Sequence, residues 1–551
     1  MFDLHSRTVE ICKTLHDNYN KALSERIYKY ITNQWFCPST PILHNFGKKH
    51  GLPISCFVNH VGDSMDNIRT SYDEAFEYAR HGGGVGTYWG DIRELGSSIR
   101  GENNQHRGVI PFLKIQDSMA VAVNQTNVRS GSTAVYMNVW HPEIETFIEL
   151  RRVSGDPNRK CLNLHHGVII DDDFMKAVVE NKYYSLKSPL NNENVKSVKA
   201  RELWEKILTT RIETGEPFII FIDNVNNTLP PLNGDNTKVY TSNLCSEILQ
   251  PTNKNNPAVC CLASLNIEKW FEYESVLNDV VKDILLFLDY ILEEFLEKTK
   301  SNPIFNNTAN AVKNNRAIGL GVMGFHSFLQ SLNVPFDSVM SKAWNNKIFN
   351  NIHTACNDSN KELGSEFGFC LSTKDTSYPR RFSFTQSVAP TATISGHFNT
   401  SPSIEPYISN IFVEKTQKGN KVIKNKYLEK LLVSKVGETE AKKEFKKIQS
   451  NGGCVFDCKV LEEHEKDLFK TAFEIDQRWI VDLAGDRAKF IDQGQSVNLF
   501  FESNVKKSYL NKVHIDAWKK GVKSLYYCRS KSEKRAQVVG QENYKECLAC
   551  Q

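Results

Sequence analysis

Ser242-Asn243-Leu244-Cys245-Ser246-Glu247-Ile248 sets a thiol between an amide and a carboxylate, each two residues away. In extended backbone, side chains at this spacing fall on one face, so Cys245, Asn243 and Glu247 are expected to point the same way. That face would hold a sulfur, a hydrogen-bonding amide and a proton acceptor. Taken alone, the seven residues read more readily as a buried cysteine in a polar strand. The rest of the chain has to supply the chemistry.

The 551 residues carry 68 Lys+Arg against 64 Asp+Glu, a surplus of only +4. So small a surplus argues against nucleic acid or a membrane as the main partner and leaves room for small anionic ligands at a local site. Met1 to Glu10 mixes charge and polarity where a secretion signal needs an apolar run. Val280 to Leu296 is interrupted by Lys282, Asp283, Asp289, Glu293 and Glu294, and reads as an amphipathic core helix rather than a membrane span. Fourteen cysteines without a secretion signal fit reduced thiols in a cytoplasm. Cys454/Cys458 and Cys547/Cys550 have metal-like spacing, but neither has the second Cys or His pair of a structural zinc site, so no metal site is expected.

Residues 1 to about 35 place Ile11, Leu15, Leu23, Ile27 and Ile31 among charges, as in one or two helices packed on a larger body. Ser39-Thr40-Pro41 and Ser55-Cys56-Phe57 follow in a Pro- and Gly-rich segment able to expose hydroxyls and amides to phosphate or ribose, or to form an ordinary loop. After Gly62-Asp63-Ser64-Met65 and a helical stretch from Tyr72 to Arg80, the run His81-Gly82-Gly83-Gly84-Val85-Gly86 permits close backbone approach. Asp91-Ile92-Arg93, the turn Gly96 to Gly101 containing Ile99, and the polar loop Asn124 to Ser132 with Gln125 and Arg129 supply planar donors suited to phosphate and base edges, or simply solvated arginines.

Arg316 to Gly324 contains a formal G-x-G-x-x-G. No strand is expected before it, because Asn306 to Asn315 is polar, so it reads as a tightly packed helix start and not as a dinucleotide site. Pro390-Thr391-Ala392-Thr393-Ile394 can form an anion-binding turn or a generic Ser/Thr turn. Residues 413–453 are Lys-, Asn- and Glu-rich and read as a surface insertion, and Asp482 to Gly494 returns to a helical pattern. Tyr526-Tyr527 would ordinarily be packing. Cys547-Leu548-Ala549-Cys550, on a polar tail, is easier to explain as a thiol shuttle than as core.

Together these stretches resemble the large, catalytic subunit of class I ribonucleotide reductases, from about Thr40 to the C-terminus. The matches are SNLCSEI at 242–248, ISCF around Cys56, Cys260 ahead of Leu262-Ala263-Ser264-Leu265-Asn266, PTATIS at 390–395, LYY at 525–527 and the terminal CLAC. The resemblance implies an α/β fold: a barrel of ten strands, two antiparallel five-stranded parallel halves, with a finger loop carrying Cys245 into the centre. It divides the chain into a shortened helical segment at 1–38, the barrel at 39–527 and a redox tail at 528–551.

The resemblance also implies roles. Cys245 would become a thiyl radical and abstract the ribose 3′ hydrogen, Glu247 would act as base at the 3′ hydroxyl, and Asn243 would orient the sugar. Cys56 and Cys260 would supply the electrons, although adjacent Cys261 leaves the assignment ambiguous in the residues themselves. Cys547 and Cys550 would restore that pair and be recharged by thioredoxin or glutaredoxin. Thr40, Ser55, Gly84 and Pro390 to Ile394 would hold the substrate. Tyr526 and Tyr527 would relay the radical from a separate metal-containing small subunit, so no cofactor is expected in this chain.

Asp63, Ser64, Met65, Arg93 and Ile99 would hold a nucleoside triphosphate effector (dNTP or ATP) at a homodimer interface, with Gln125 and Arg129 on the loop reporting effector identity to the substrate. Only 39 residues precede Thr40, so the N-terminal ATP-cone is expected to be missing, and the Lys- and Asn-rich composition suggests a phage or other virus. An adenosylcobalamin-dependent class II enzyme would need neither partner nor tyrosine pair, and a glycyl-radical enzyme would not end in a dithiol. A nucleotide-binding regulator that lost the chemistry would have no reason to keep all these thiols and tyrosines.

Overall fold

Five short apolar runs make one parallel sheet in a computed structural model that describes residues 3–123, 132–234, 237–416 and 419–531. The strands are Cys56–His60, Gly84–Tyr88, Ser132–Asn138, His165–Ile170 and Phe218–Phe221, side by side in that order. Each connection between them carries helix, including Met65–Arg80, Ile110–Ala122 and Ala200–Thr214, as parallel pairing demands.

A second parallel set begins with Ala258–Asn266 beside Ile318–Met323. From there the ring continues through single bridges: Leu320 with Gln386, then Val388 with Gln495, both parallel. Leu499–Phe501 lies parallel to Cys528–Ser530. The two sets meet antiparallel on both sides, Cys56 opposite Cys260 and Ser524 opposite Ile220. Passing from neighbour to neighbour therefore returns to the start. Ten extended segments close a barrel of two antiparallel five-stranded halves, as the resemblance implied.

Strand alternation sorts the side chains into two populations. Cys56, Val58, Ala134, Tyr136, Cys260 and Leu262 pack inside the barrel with Cys245. Phe57, Val135, Met137, Cys261 and Ala263 face the outer shell, where helix Leu277–Thr299 covers the second half. That helix confirms the amphipathic reading of 280–296; among the described residues none is long and apolar enough to cross a membrane. Helices Leu4–Asn18 and Lys21–Thr32 pack against the same shell.

Two local expectations change. Ile318–Met323 is a barrel strand, and the helix starts only at Phe325, after Gly324 in the left-handed region. Both faces of this strand are covered, which erases the alternation that would have revealed it. Its glycines clear space: a Cβ on Gly319 would lie 2.5 Å from Leu262 Cδ2, and one on Gly321 would lie 2.4 Å from the Ser387 carbonyl oxygen. The helix expected over 482–494 instead spans Gln477–Ala488, and the residues after it join the barrel wall. The 413–453 stretch contributes to a hairpin, Ile411–Thr416 with Gly419–Lys424, and to helix Lys426–Ser450. Leu428, Leu432, Phe445 and Ile448 form a small core there, separate from the barrel's.

Candidate active site

The chain between Phe221 and Ala258 turns into the barrel, and Ser242 through Ile248 are fully buried there. The backbone is not extended, contrary to the simplest reading of the spacing. Ser246 has φ 68°, and its N–H donates to the Asn243 carbonyl at 3.4 Å. The Asn243 side-chain oxygen accepts from the N–H groups of Glu247 and Ile248, each at 3.1 Å. A tight turn, closed by the asparagine's own side chain, thus gathers the three functional groups.

A left-handed non-glycine residue costs about 1–2 kcal/mol. Contacts around the loop offset it at about 1 kcal/mol each: Tyr136 Oη donates to the Asn243 carbonyl at 2.6 Å, Ser387 Oγ to the Glu247 carbonyl at 3.0 Å, and Ser496 Oγ to the Cys245 carbonyl at 2.7 Å. Gly86, on the barrel wall, is where the loop presses in. A Cβ there would sit 1.9 Å from the Ser242 carbonyl oxygen.

Around this turn lie two further buried thiols, Cys56 and Cys260. Asn243 Nδ2 donates to Cys56 Sγ at 3.3 Å, and Cys56 Sγ is 4.0 Å from Glu247 Oε1. The other carboxylate oxygen of Glu247 accepts from Ser496 Oγ at 3.1 Å. Cys56 and Cys260 are direct partners across the antiparallel junction. Opposed residues in such a pair have Cα atoms about 4.5–5.5 Å apart, a span that a disulfide can bridge. Both are free thiols here. Gln493 Nε2 reaches Cys260 Sγ at 3.8 Å. Burial, then the neighbouring Cys56 thiol, push the Cys260 thiol well above its ordinary range, against the Gln493 hydrogen bond. Cys261 points into the outer shell, so the pair that the sequence left ambiguous is separated by the pleat.

Tyr526 Oη donates to Cys245 Sγ at 3.3 Å. The Tyr526 and Tyr527 ring centroids are 4.3 Å apart, and both rings pack on Phe218. Tyr526 is buried and Tyr527 half-buried, so the pair runs from the loop tip toward the surface.

Hydroxyls and amides flank the thiols. Ser55 immediately precedes Cys56 and shares a 3.4 Å contact with Ser39 Oγ. Thr40 starts the short helix Thr40–Asn45, its buried Oγ1 without a hydrogen-bond partner among the described residues. Gly84 is the strand partner of Cys56. Across the barrel, Thr391 takes φ 55° at the entry to helix Ala392–Phe398, and its Oγ1 accepts from Ser403 N at 2.7 Å. Pro390 to Ile394 begin three residues after Ser387, which holds the finger loop.

On a different face, Arg93 pairs with Asp63 at 2.7 Å and donates to the Ser98 carbonyl at 2.8 Å, next to Ile99. Ser64 caps helix Met65–Arg80, leaving Met65 exposed. The structure therefore brings Asp63, Ser64, Met65, Arg93 and Ile99 into one patch. Gln125, Arg129, Cys547 and Cys550 lie outside the described residues. Sequence reasoning missed Tyr136, Ser387, Gln493 and Ser496, which hold the loop or touch a thiol. Only Gly86 carried a local signal, within the glycine run.

The ribonucleotide reductase barrel-domain model matches residues 54–378 and 371–528. Among curated proteins, the ribonucleoside-diphosphate reductase large subunit of Invertebrate iridescent virus 3 is 36% identical, covering 93% of this chain and 88% of its own. The putative large subunit of Frog virus 3 is 38% identical, covering 98% and 94%. Among solved structures, the alpha subunit of the Actinobacillus ureae class Id ribonucleotide reductase superposes with a TM-score of 0.82 at 31% identity, over 96% of this chain and 94% of that one. The chain belongs to the ribonucleotide reductase large-subunit family.

Proposed function

We propose that this chain, as the catalytic subunit of a class I ribonucleotide reductase, reduces ribonucleoside diphosphates at Cys245. The observation that carries the reading is the convergence of Cys245 with Tyr526 on one side and the Cys56/Cys260 pair on the other. The oxidising equivalent comes from a separate metal-containing small subunit. Tyr527, once oxidised, takes a hydrogen atom from Tyr526, and Tyr526 takes one from Cys245. The Cys245 thiyl radical abstracts the 3′ hydrogen of the ribose. Glu247 removes the 3′-hydroxyl proton, and Asn243 holds the sugar hydroxyls. Water leaves from C2′. Cys56 and Cys260 together give up two electrons and two protons and become a disulfide, and Cys245 returns its hydrogen to C3′. Cys547 and Cys550 reduce the disulfide by exchange, and thioredoxin or glutaredoxin recharges them.

Thr40, Ser55, Gly84 and Pro390 to Ile394 hold the substrate's phosphates and ribose. Asp63, Ser64, Met65, Arg93 and Ile99 form the effector site of a homodimer and take a nucleoside triphosphate, with Gln125 and Arg129 linking it to substrate choice. The setting is the cytoplasm, that of the host cell if the chain is virus-encoded. The test is Cys245→Ser in the holoenzyme with small subunit and dithiothreitol. Deoxynucleotide formation is expected to vanish while the circular dichroism spectrum stays unchanged; turnover equal to the parent's would overturn the reading.

A further inference from the structure

Tyr527 has an unusual neighbour for a residue at the mouth of the relay. Its phenol oxygen lies 3.4 Å from His165 Nδ1, and that same nitrogen lies 2.6 Å from Glu216 Oε1. Glu216 is almost completely buried. Burial opposes its ionisation, but Arg151, His165 and His166 outweigh it and hold the carboxyl well below the usual range. Its other oxygen accepts from His166 N at 3.0 Å and from His166 Nδ1 at 3.2 Å, with Arg151 Nε 3.5 Å away.

An ionised carboxylate can only accept hydrogen bonds. The 2.6 Å contact therefore needs a hydrogen on His165 Nδ1, which leaves that nitrogen no lone pair for Tyr527. His165 Nδ1 is therefore not the acceptor of the phenol proton. Instead, the His165 N–H is shared: its main branch goes to Glu216 and its weaker branch to the Tyr527 oxygen. Above the ring, the Arg529 guanidinium carbon lies 5.3 Å from the Tyr527 centroid. A phenol that lost its electron first would become a cation beneath that positive charge, which favours loss of the proton together with the electron.

Resting on the reading of Tyr527 as a relay residue, we infer that His165, locked as its Nδ1–H form by Glu216, is a positioning residue for the radical-bearing oxygen of Tyr527 and takes no proton from it. In the step, Tyr527–OH gives one electron and one proton to an oxidised amino-acid radical of the small subunit, which becomes its reduced, protonated form. Tyr527–O• remains, and the His165 N–H now donates to a radical oxygen whose position over Tyr526 is fixed. His165 keeps its Nδ1 proton and Glu216 stays ionised throughout.

The experiment uses the full chain with its small subunit. Tyr527→Phe tests the relay itself: it is expected to abolish turnover, and full activity would overturn that reading alone. Given an inactive Tyr527→Phe, His165→Phe keeps an aromatic ring but removes the N–H. It is expected to lower kcat about tenfold with KM unchanged, as loss of one orienting contact does. His165→Gln, which retains an N–H donor, is expected to recover most of that loss. The decisive readout is spectroscopic. With an easily oxidised tyrosine analogue at position 527, the trapped radical in D2O should show coupling to one exchangeable deuteron that disappears in His165→Phe. An unaltered kcat in His165→Phe, or the same deuteron coupling with and without His165, would overturn the inference.

Discussion

Cys260 and Cys261 are adjacent, equally buried and of one chemistry, yet they belong to different regions of the molecule. Cys260 faces the barrel interior, opposite Cys56 and beneath the finger loop. Cys261 faces the helical shell and is surrounded by apolar side chains. Burial raises both thiols well above their ordinary range. Low dielectric alone therefore does not single out a reactive cysteine; the partner placed across from it does. The interior is lined by glycines, hydroxyls and amides that seat a loop, whereas the shell is packed for stability.

The contrast can be broken most severely at Cys260. Cys260→Ser in the holoenzyme is expected to lose essentially all steady-state deoxynucleotide formation, because the proposed Cys56/Cys260 pair would lack one of its two electron donors. Gly86→Ala should come next. Its methyl would collide with the Ser242 carbonyl oxygen, and overpacking of this kind costs about 1–3 kcal/mol. Turnover is expected to fall at least about tenfold from displacement of the thiol, and the thermal midpoint should drop with it. Cys261→Ala should be the mildest. Denaturant unfolding is expected to register about 1 kcal/mol for a small cavity, with kcat nearly that of the parent. If Cys261→Ala abolished turnover and Cys260→Ser did not, the division between the two faces would be wrong.

The large features were legible in the sequence because several motifs had to agree. SNLCSEI, the paired thiols and the tyrosine pair implied the barrel and its loop, and the structure places them together. The missed features share physical causes. The loop's turn depends on a left-handed Ser246, and serine carries no signature for that conformation as glycine would. Ile318–Met323 hid its strand because covering both faces leaves no alternation. Ser387 and Ser496 are single hydroxyls in polar surroundings, and their role exists only because distant segments meet. The choice between Cys260 and Cys261 needed the strand's pleat, which depends on pairing with Cys56. His165 and Glu216 are 51 residues apart, with no spacing rule to connect them.

The most direct measurement traps the oxidised product of one turnover. Full-length chain carrying Cys547→Ser and Cys550→Ser, prereduced and supplied with small subunit, substrate and effector but no external reductant, is quenched with an alkylating agent and digested without reduction. Peptide mapping is predicted to find Cys56 joined to Cys260, about one disulfide per deoxynucleotide formed, with Cys261 alkylated. Deoxynucleotide formed while Cys56 and Cys260 both remain alkylated, or a disulfide that contains Cys261, would contradict the account.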